Sequence, residues 1–179
     1  LFCDIVGFTP ISEKLQEDPQ KLVGLINRLL TQLTDCVLSH GGTVDKFMGD
    51  CIMAFWGAPM DCEDHAQRAM LASKDMLMLL DDLNSQLDAE DLPHLNVGVG
   101  INTGPCVVGN MGSEARFDYS VLGDAVNTAS RLEGQTRNYD DWILIGENTA
   151  AIEPDWVQYV DAIRVKGKSE PLNVYTLKD

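Results

Sequence analysis

The chain has 179 residues, 45% of them apolar and 23% charged, which fits one globular domain with a sizeable core and excludes disorder or a fibrous architecture. Its 13 basic against 28 acidic side chains leave a formal net charge of -15, which excludes non-specific attraction to nucleic acid or anionic lipid. An anionic ligand must therefore be met by metal ions or by a few well-placed Lys and Arg side chains.

In chain order, Leu1 to Val6 is a short apolar run that predicts a buried strand. Gly7 breaks it, and Thr9-Pro10 suits a helix start. Leu22, Leu25, Ile26, Leu29, Leu33 and Val37 repeat on one helical face over 20–38, and Gly41-Gly42 ends that helix. Thr43 to Met48 and Cys51 to Trp56, separated by Gly49-Asp50, read as a hairpin. A second long helix follows Asp61, with Ala66, Ala69, Met70, Ser73, Leu77 and Leu80 on its buried side.

Leu95 to Thr103 alternates as a strand, and Gly104-Pro105 turns the chain. Cys106 to Val108 and Tyr119 to Leu122 are predicted strands on either side of a mobile loop over 109–116. Asp124 to Glu133 is predicted helical; Trp142 to Ile145, Val157 to Val165 and Leu172 to Leu177 complete the set as strands. This order predicts a single α+β domain over 1–179, with helices packed on one side of a largely antiparallel sheet. The start on Leu1-Phe2-Cys3 rather than Met predicts a domain cut from a longer protein, its first strand truncated.

Cys3, Cys36, Cys51, Cys62 and Cys106 form no Cys-x-x-Cys pair, which predicts reduced thiols, a cytoplasmic setting and no zinc. No apolar run approaches membrane-spanning length, so no membrane contact by this domain is expected.

Two carboxylates stand out. Asp4 interrupts an apolar strand and Asp50 occupies the turn of an apolar hairpin. A carboxylate in such a place is costly unless paired, hydrogen-bonded or metal-bound. Either alone reads more readily as a turn-former or a satisfied structural Asp; side by side at strand ends they suit Mg²⁺, which takes a couple of carboxylates plus phosphate and water. Backbone N–H groups after Gly7, at Phe8 and Thr9, could meet a phosphate at a helix start. Asn127 and Arg131 lie four apart and share a helical face. Arg164-Val165-Lys166-Gly167-Lys168 is the densest basic stretch, a candidate triphosphate clamp. No Walker-type phosphate loop is present, and the glycines of Gly98 to Gly104 have the wrong spacing for a dinucleotide fingerprint.

Three segments taken together resemble the catalytic domain of class III adenylate and guanylate cyclases: Phe2 to Thr9, Asp45 to Asp50, and Leu122 to Leu132. Gly100-Ile101-Asn102-Thr103-Gly104 and Val165 to Lys168 also fall where that family has them. The resemblance implies a ferredoxin-like or palm-like antiparallel core and conversion of ATP to cyclic AMP. It implies that Asp4, Ile5 and Asp50 hold two Mg²⁺ or Mn²⁺ ions, that Gly7, Phe8 and Thr9 meet the substrate, and that Lys46 reads adenine with Ser120 at the second base-reading position. Asn127 would orient the ribose, Arg131 and Lys166 would meet phosphate charge, and a homodimer would share its sites between subunits. Guanylate cyclases carry Glu and Cys where this chain has Lys46 and Ser120, so Lys46 favours ATP, while a Ser hydroxyl can donate or accept and selects less sharply than Asp. A guanylate or dual-specificity cyclase, or a non-catalytic nucleotide-binding dimerisation module, are the alternatives.

Overall fold

Residues 1–164 and 170–178 are described by a computed structural model. The core is a seven-stranded sheet built from β1 (Phe2–Ile5), β2 (Thr43–Met48), β3 (Cys51–Phe55), β4 (Val97–Ile101), β7 (Ile143–Gly146), β8 (Val157–Ile163) and β9 (Leu172–Leu177). Across the sheet they run in the order β2-β3-β1-β4-β7-β9-β8. The β4–β7 pair is parallel and the other pairs are antiparallel. The expected α+β class is therefore present, and the side chains of each strand divide between two covered faces.

On one face lie α2 (Pro19–Ser39) and α3 (His65–Ala89). The Asp18 carboxylate accepts from the Lys21 backbone N–H at 3.2 Å and Pro19 takes the first helical position, which sets where α2 begins. Leu29, Leu33 and Val37 are fully buried against Cys3, Ile5, Ile52, Val97 and Val99 in one cluster. Each such Leu contributes about 1.5–3 kcal/mol relative to exposure.

The opposite face carries α4 (Asp124–Gln135), so helices cover both sides of the sheet rather than one. The reason lies in β4. A Cβ on Gly98 would overlap the Thr136 hydroxyl, and one on Gly100 would overlap the Ala129 carbonyl and the Glu133 backbone nitrogen. Bare glycines at alternate positions of one strand let α4 lie against the backbone of the sheet.

The expected loop over 109–116 is instead part of a hairpin, β5 (Val107–Ser113) and β6 (Arg116–Leu122), paired along its full length from Val107↔Leu122 to Ser113↔Arg116. The run Val107 to Ser113 lacks clear apolar alternation, so the pattern did not reveal it. The hairpin is held to the sheet by Phe55 and Tyr119, whose rings lie 6.0 Å apart, and by Val121 packing with Phe2, Met53 and Ala129. Two short α-helices, α1 (Phe8–Lys14) and α5 (Glu147–Ile152), and two 3-10 turns, Thr136–Asn138 and Pro154–Trp156, complete the described elements; α5 was not expected. Among the described residues no helix is long and apolar enough to cross a membrane.

Candidate active site

Asp4 is on β1, the strand between β3 and β4, and Asp50 is in the turn joining β2 to β3. Adjacent strands bring the two carboxyl groups together. Burial first, then the Asp50 charge and a hydrogen bond shared with Asp50, push the Asp4 carboxyl up to about 6. Its Oδ1 accepts from the Ile5 backbone N–H at 3.0 Å. Its Oδ2 lies 3.5 Å from an Arg137 guanidinium nitrogen.

A third carboxylate enters from α4. Glu133 is 8% exposed, and burial, with the Asp4 charge next in weight, raises it to about 7. One of its oxygens is 3.8 Å from Arg137 but has no hydrogen-bond partner. Sequence reasoning passed over Glu133 and Arg137. The available signal was that Glu133 follows Leu132 and sits four residues after Ala129, on the buried side of the helix.

Gly7 caps α1 in the left-handed region, φ 70°, with no side-chain cap. Phe8 packs partly buried on the core while Thr9 is exposed. The three residues therefore follow β1 directly, shortly after Asp4 on the chain.

Lys46 and Ser120 come from different elements, β2 and β6, and converge on a residue the sequence reading did not single out. Asp45 has a fully buried side chain. One carboxylate oxygen accepts from the Ser120 hydroxyl at 2.8 Å and from the Val121 backbone N–H at 3.0 Å. The other lies 3.3 Å from the Lys46 ammonium, outside hydrogen-bond geometry.

A bulge makes this junction. Val44 pairs with Ala54 and Lys46 with Met53, which leaves Asp45 as the extra residue. Val44 and Ala54 face the α2 and α3 side, whereas Met53 faces the α4 side, so Lys46 has been turned to the opposite face from Val44. Regular alternation would have placed both on one face.

Asn127 is exposed on α4, and Arg131 is half-buried with one guanidinium nitrogen buried and unpartnered. The structure brings these two together on their helix, as their spacing predicted. It does not bring them to Asp4. Glu133, which meets Asp4, is about 200° around the helix from Arg131 and about 240° from Asn127. Lys166 lies outside the described residues.

The adenylate and guanylate cyclase catalytic domain matches residues 1–179. The chain is 38% identical to an adenylate cyclase of Anabaena cylindrica over 99% of its own length and 36% of the relative's. It is 34% identical to adenylate cyclase 1 of Rhizobium meliloti over 98% of its own length and 26% of the relative's. It thus spans about a third or less of these relatives. Among solved structures, the adenylyl cyclase CyaB from P. aeruginosa superposes with a TM-score of 0.90 at 38% identity, covering 99% of this chain and 91% of that one. The guanylyl cyclase Cya2 superposes at 0.89 with 36% identity, covering 98% and 88%. On the match along its whole length and on the shared fold, this chain belongs to the adenylate and guanylate cyclase catalytic domain family.

Proposed function

We propose that this domain converts ATP to 3′,5′-cyclic AMP and pyrophosphate, as a homodimer whose sites are completed by residues of both copies. The observation that carries the choice of ATP is the convergence of Lys46 and Ser120 on Asp45, which puts the two base-reading positions side by side in one chain. An ammonium there suits adenine N1, an acceptor, and opposes the N1–H of guanine.

The donor set fits a hard divalent cation. Asp4 and Asp50 converge as oxygen ligands whose mutual repulsion a cation would relieve. Among the described residues no group of three or more His, Cys, Asp and Glu side chains is placed to hold a metal ion; Asp4 and Asp50 would hold it, and the Ile5 carbonyl, water and substrate phosphate would supply the other oxygens. Mg²⁺ or Mn²⁺ held there, two per site, would supply activation of the ribose 3′-hydroxyl and neutralisation of phosphate charge. In the reaction the 3′-oxygen bonds to the α-phosphorus, the bond to the bridging oxygen of the β-phosphate breaks, pyrophosphate leaves and the hydroxyl proton passes to solvent. Lys46 and Ser120 position the base, Asn127 the ribose, and Arg131 meets charge growing on the α-phosphate. The backbone after Gly7, at Phe8 and Thr9, and Lys166 meet the remaining phosphates. Catalysis is then positioning plus electrostatics.

The orientation of α4 supports the reading of shared sites. The face that bears Asn127 and Arg131 is turned around α4 from Glu133, the residue of this helix that meets Asp4 of the same chain. A second copy related by two-fold symmetry would supply the missing half to each site. The reading further places this domain within a longer protein, in the cytoplasm, where ATP is available and five unpaired cysteines stay reduced.

The test is product formation from ATP and, separately, GTP, with Mg²⁺ or Mn²⁺, over a range of protein concentrations. Cyclic AMP from ATP, rising more steeply than protein concentration, is the expected result. Cyclic GMP in preference assigns the guanylate cyclase reading. Nucleotide binding with no cyclic product at any concentration assigns a binding module.

A further inference from the structure

A serine at a base-reading position is ambiguous in principle. Its hydroxyl has one proton and two lone pairs, so it can meet the 6-amino group of adenine as acceptor or the 6-oxo group of guanine as donor. The structure removes that ambiguity. The Ser120 proton is given to Asp45 Oδ2 at 2.8 Å, and the same oxygen takes the Val121 backbone N–H at 3.0 Å. The side chain of Asp45 has no exposure and Ser120 is 4% exposed, so the bond between them is shielded from competition by water. An ionised carboxylate only accepts, and it holds the proton of its donor more firmly than a neutral group would.

We infer that Asp45 is a specificity-positioning residue: by taking the Ser120 proton it leaves that hydroxyl only lone pairs to offer, and so tunes the site to a purine bearing an amino group at position 6. The inference rests on the ATP reading and names what sharpens it.

The same carboxylate sets the other half of the pattern. Its second oxygen holds the Lys46 ammonium 3.3 Å away, next to Ser120. A donor from Lys46 beside an acceptor from Ser120 matches N1 and the 6-amino group of adenine. Against guanine, the Ser120 lone pairs face the lone pairs of the 6-oxo oxygen. A buried polar group left facing its own kind is what makes such pockets reject an analogue strongly. The bulge at Asp45 builds the arrangement: it turns Lys46 toward β6 and leaves the Asp45 side chain to reach Ser120.

The experiment compares the wild-type protein with Asp45→Ala, Ser120→Ala and the double variant, with Ser120→Thr as the conservative control. Two readouts are taken. The first is kcat/KM for ATP and for GTP; the second is the dissociation constant of 3′-deoxy-ATP and of 3′-deoxy-GTP, which lack the attacking hydroxyl. In Asp45→Ala the Ser120 proton is free to turn toward a 6-oxo group, and the adenine-over-guanine ratio falls about tenfold or more in both readouts. Ser120→Ala loses a similar factor, the double variant loses no more than either single one, and Ser120→Thr keeps the wild-type ratio.

A folded Asp45→Ala with the wild-type ratio overturns the inference, and so do single effects that multiply in the double variant. If Asp45→Ala does not fold, the wild-type protein decides with base analogues. The nucleoside triphosphate of unsubstituted purine should be used less well than ATP, and inosine triphosphate less well still. Inosine triphosphate used as well as the unsubstituted purine shows that Ser120 can donate, and overturns the inference. A wild type that prefers guanine nucleotides, or binds neither, overturns the ATP reading itself. A wild type that prefers ATP regardless of Asp45 overturns only the role of Asp45.

Discussion

Replacing Gly100 by Ala tests the seat of α4. The new Cβ would overlap the Ala129 carbonyl and the Glu133 backbone nitrogen, and would stand 2.9 Å from the Glu133 Cα. These are backbone atoms of a helix, with no flexible side chain to swing aside. To restore ordinary contact α4 must withdraw from the sheet by on the order of 1 Å, loosening the packing of Ala129 and Leu132, and such overpacking costs about 3 kcal/mol. For a chain of this size that lowers the melting temperature by roughly 6–12 °C. Gly24, exposed on α2 with no atom within 4 Å of where a methyl group would stand, is the control. Gly24→Ala should gain about 0.5–1 kcal/mol from helix propensity and raise the melting temperature by a few degrees. Thermal unfolding followed by circular dichroism, at one fixed protein concentration, reads both. Because α4 carries Asn127 and Arg131, Gly100→Ala should also lose about a hundredfold in turnover at temperatures where it remains folded. A Gly100→Ala protein that melts within about 2 °C of wild type would refute the close approach of α4 to β4.

Asp50→Asn should abolish turnover while the metal-free protein holds its stability or gains up to about 1 kcal/mol, because a screened repulsion with Asp4 is removed; Mg²⁺ or Mn²⁺ should raise the wild-type melting temperature and leave this variant's unchanged, and retained activity in a clean preparation ends the two-carboxylate assignment. Mixing Asp50→Ala with Asn127→Ala chains, each inactive alone, should restore one complete site per heterodimer; proven mixing without recovery counts against shared sites. Burial raises the Cys3 thiol well above its ordinary value and pushes Cys51 up to about 12, whereas Cys106 is exposed. Iodoacetamide at about pH 8 followed by peptide mass spectrometry should therefore label Cys106 first and leave Cys3 untouched until the protein unfolds; early labelling of Cys3 contradicts the core placement of β1.

Much of this was readable from residue order alone. The apolar periodicity of Leu25, Leu29 and Leu33 specified α2, and Gly49-Asp50 between two β-rich runs specified the first hairpin. The spacing of Asn127 and Arg131 put them on one helical face, and local rules suffice for all of these because each involves neighbours along one element. The pairing of Asp4 with Asp50 needed strand order as well, and the hydrophobic character of β1 and β3 made that pairing a fair expectation.

Three things were settled only by tertiary structure. The segment over 109–116 became a hairpin because Phe55, Phe2 and Met53 offer Tyr119 and Val121 something to pack on, which its own composition does not disclose. The glycines of β4 look like ordinary strand glycines until α4 is laid across them. Asp45 is the sharpest case. A single inserted residue in β2 turns Lys46 to the other face, and the carboxylate then reaches Ser120, 75 positions further along the chain. Period-two alternation cannot register a bulge, because a bulge is a mismatch in length between two strands and exists only once they are paired.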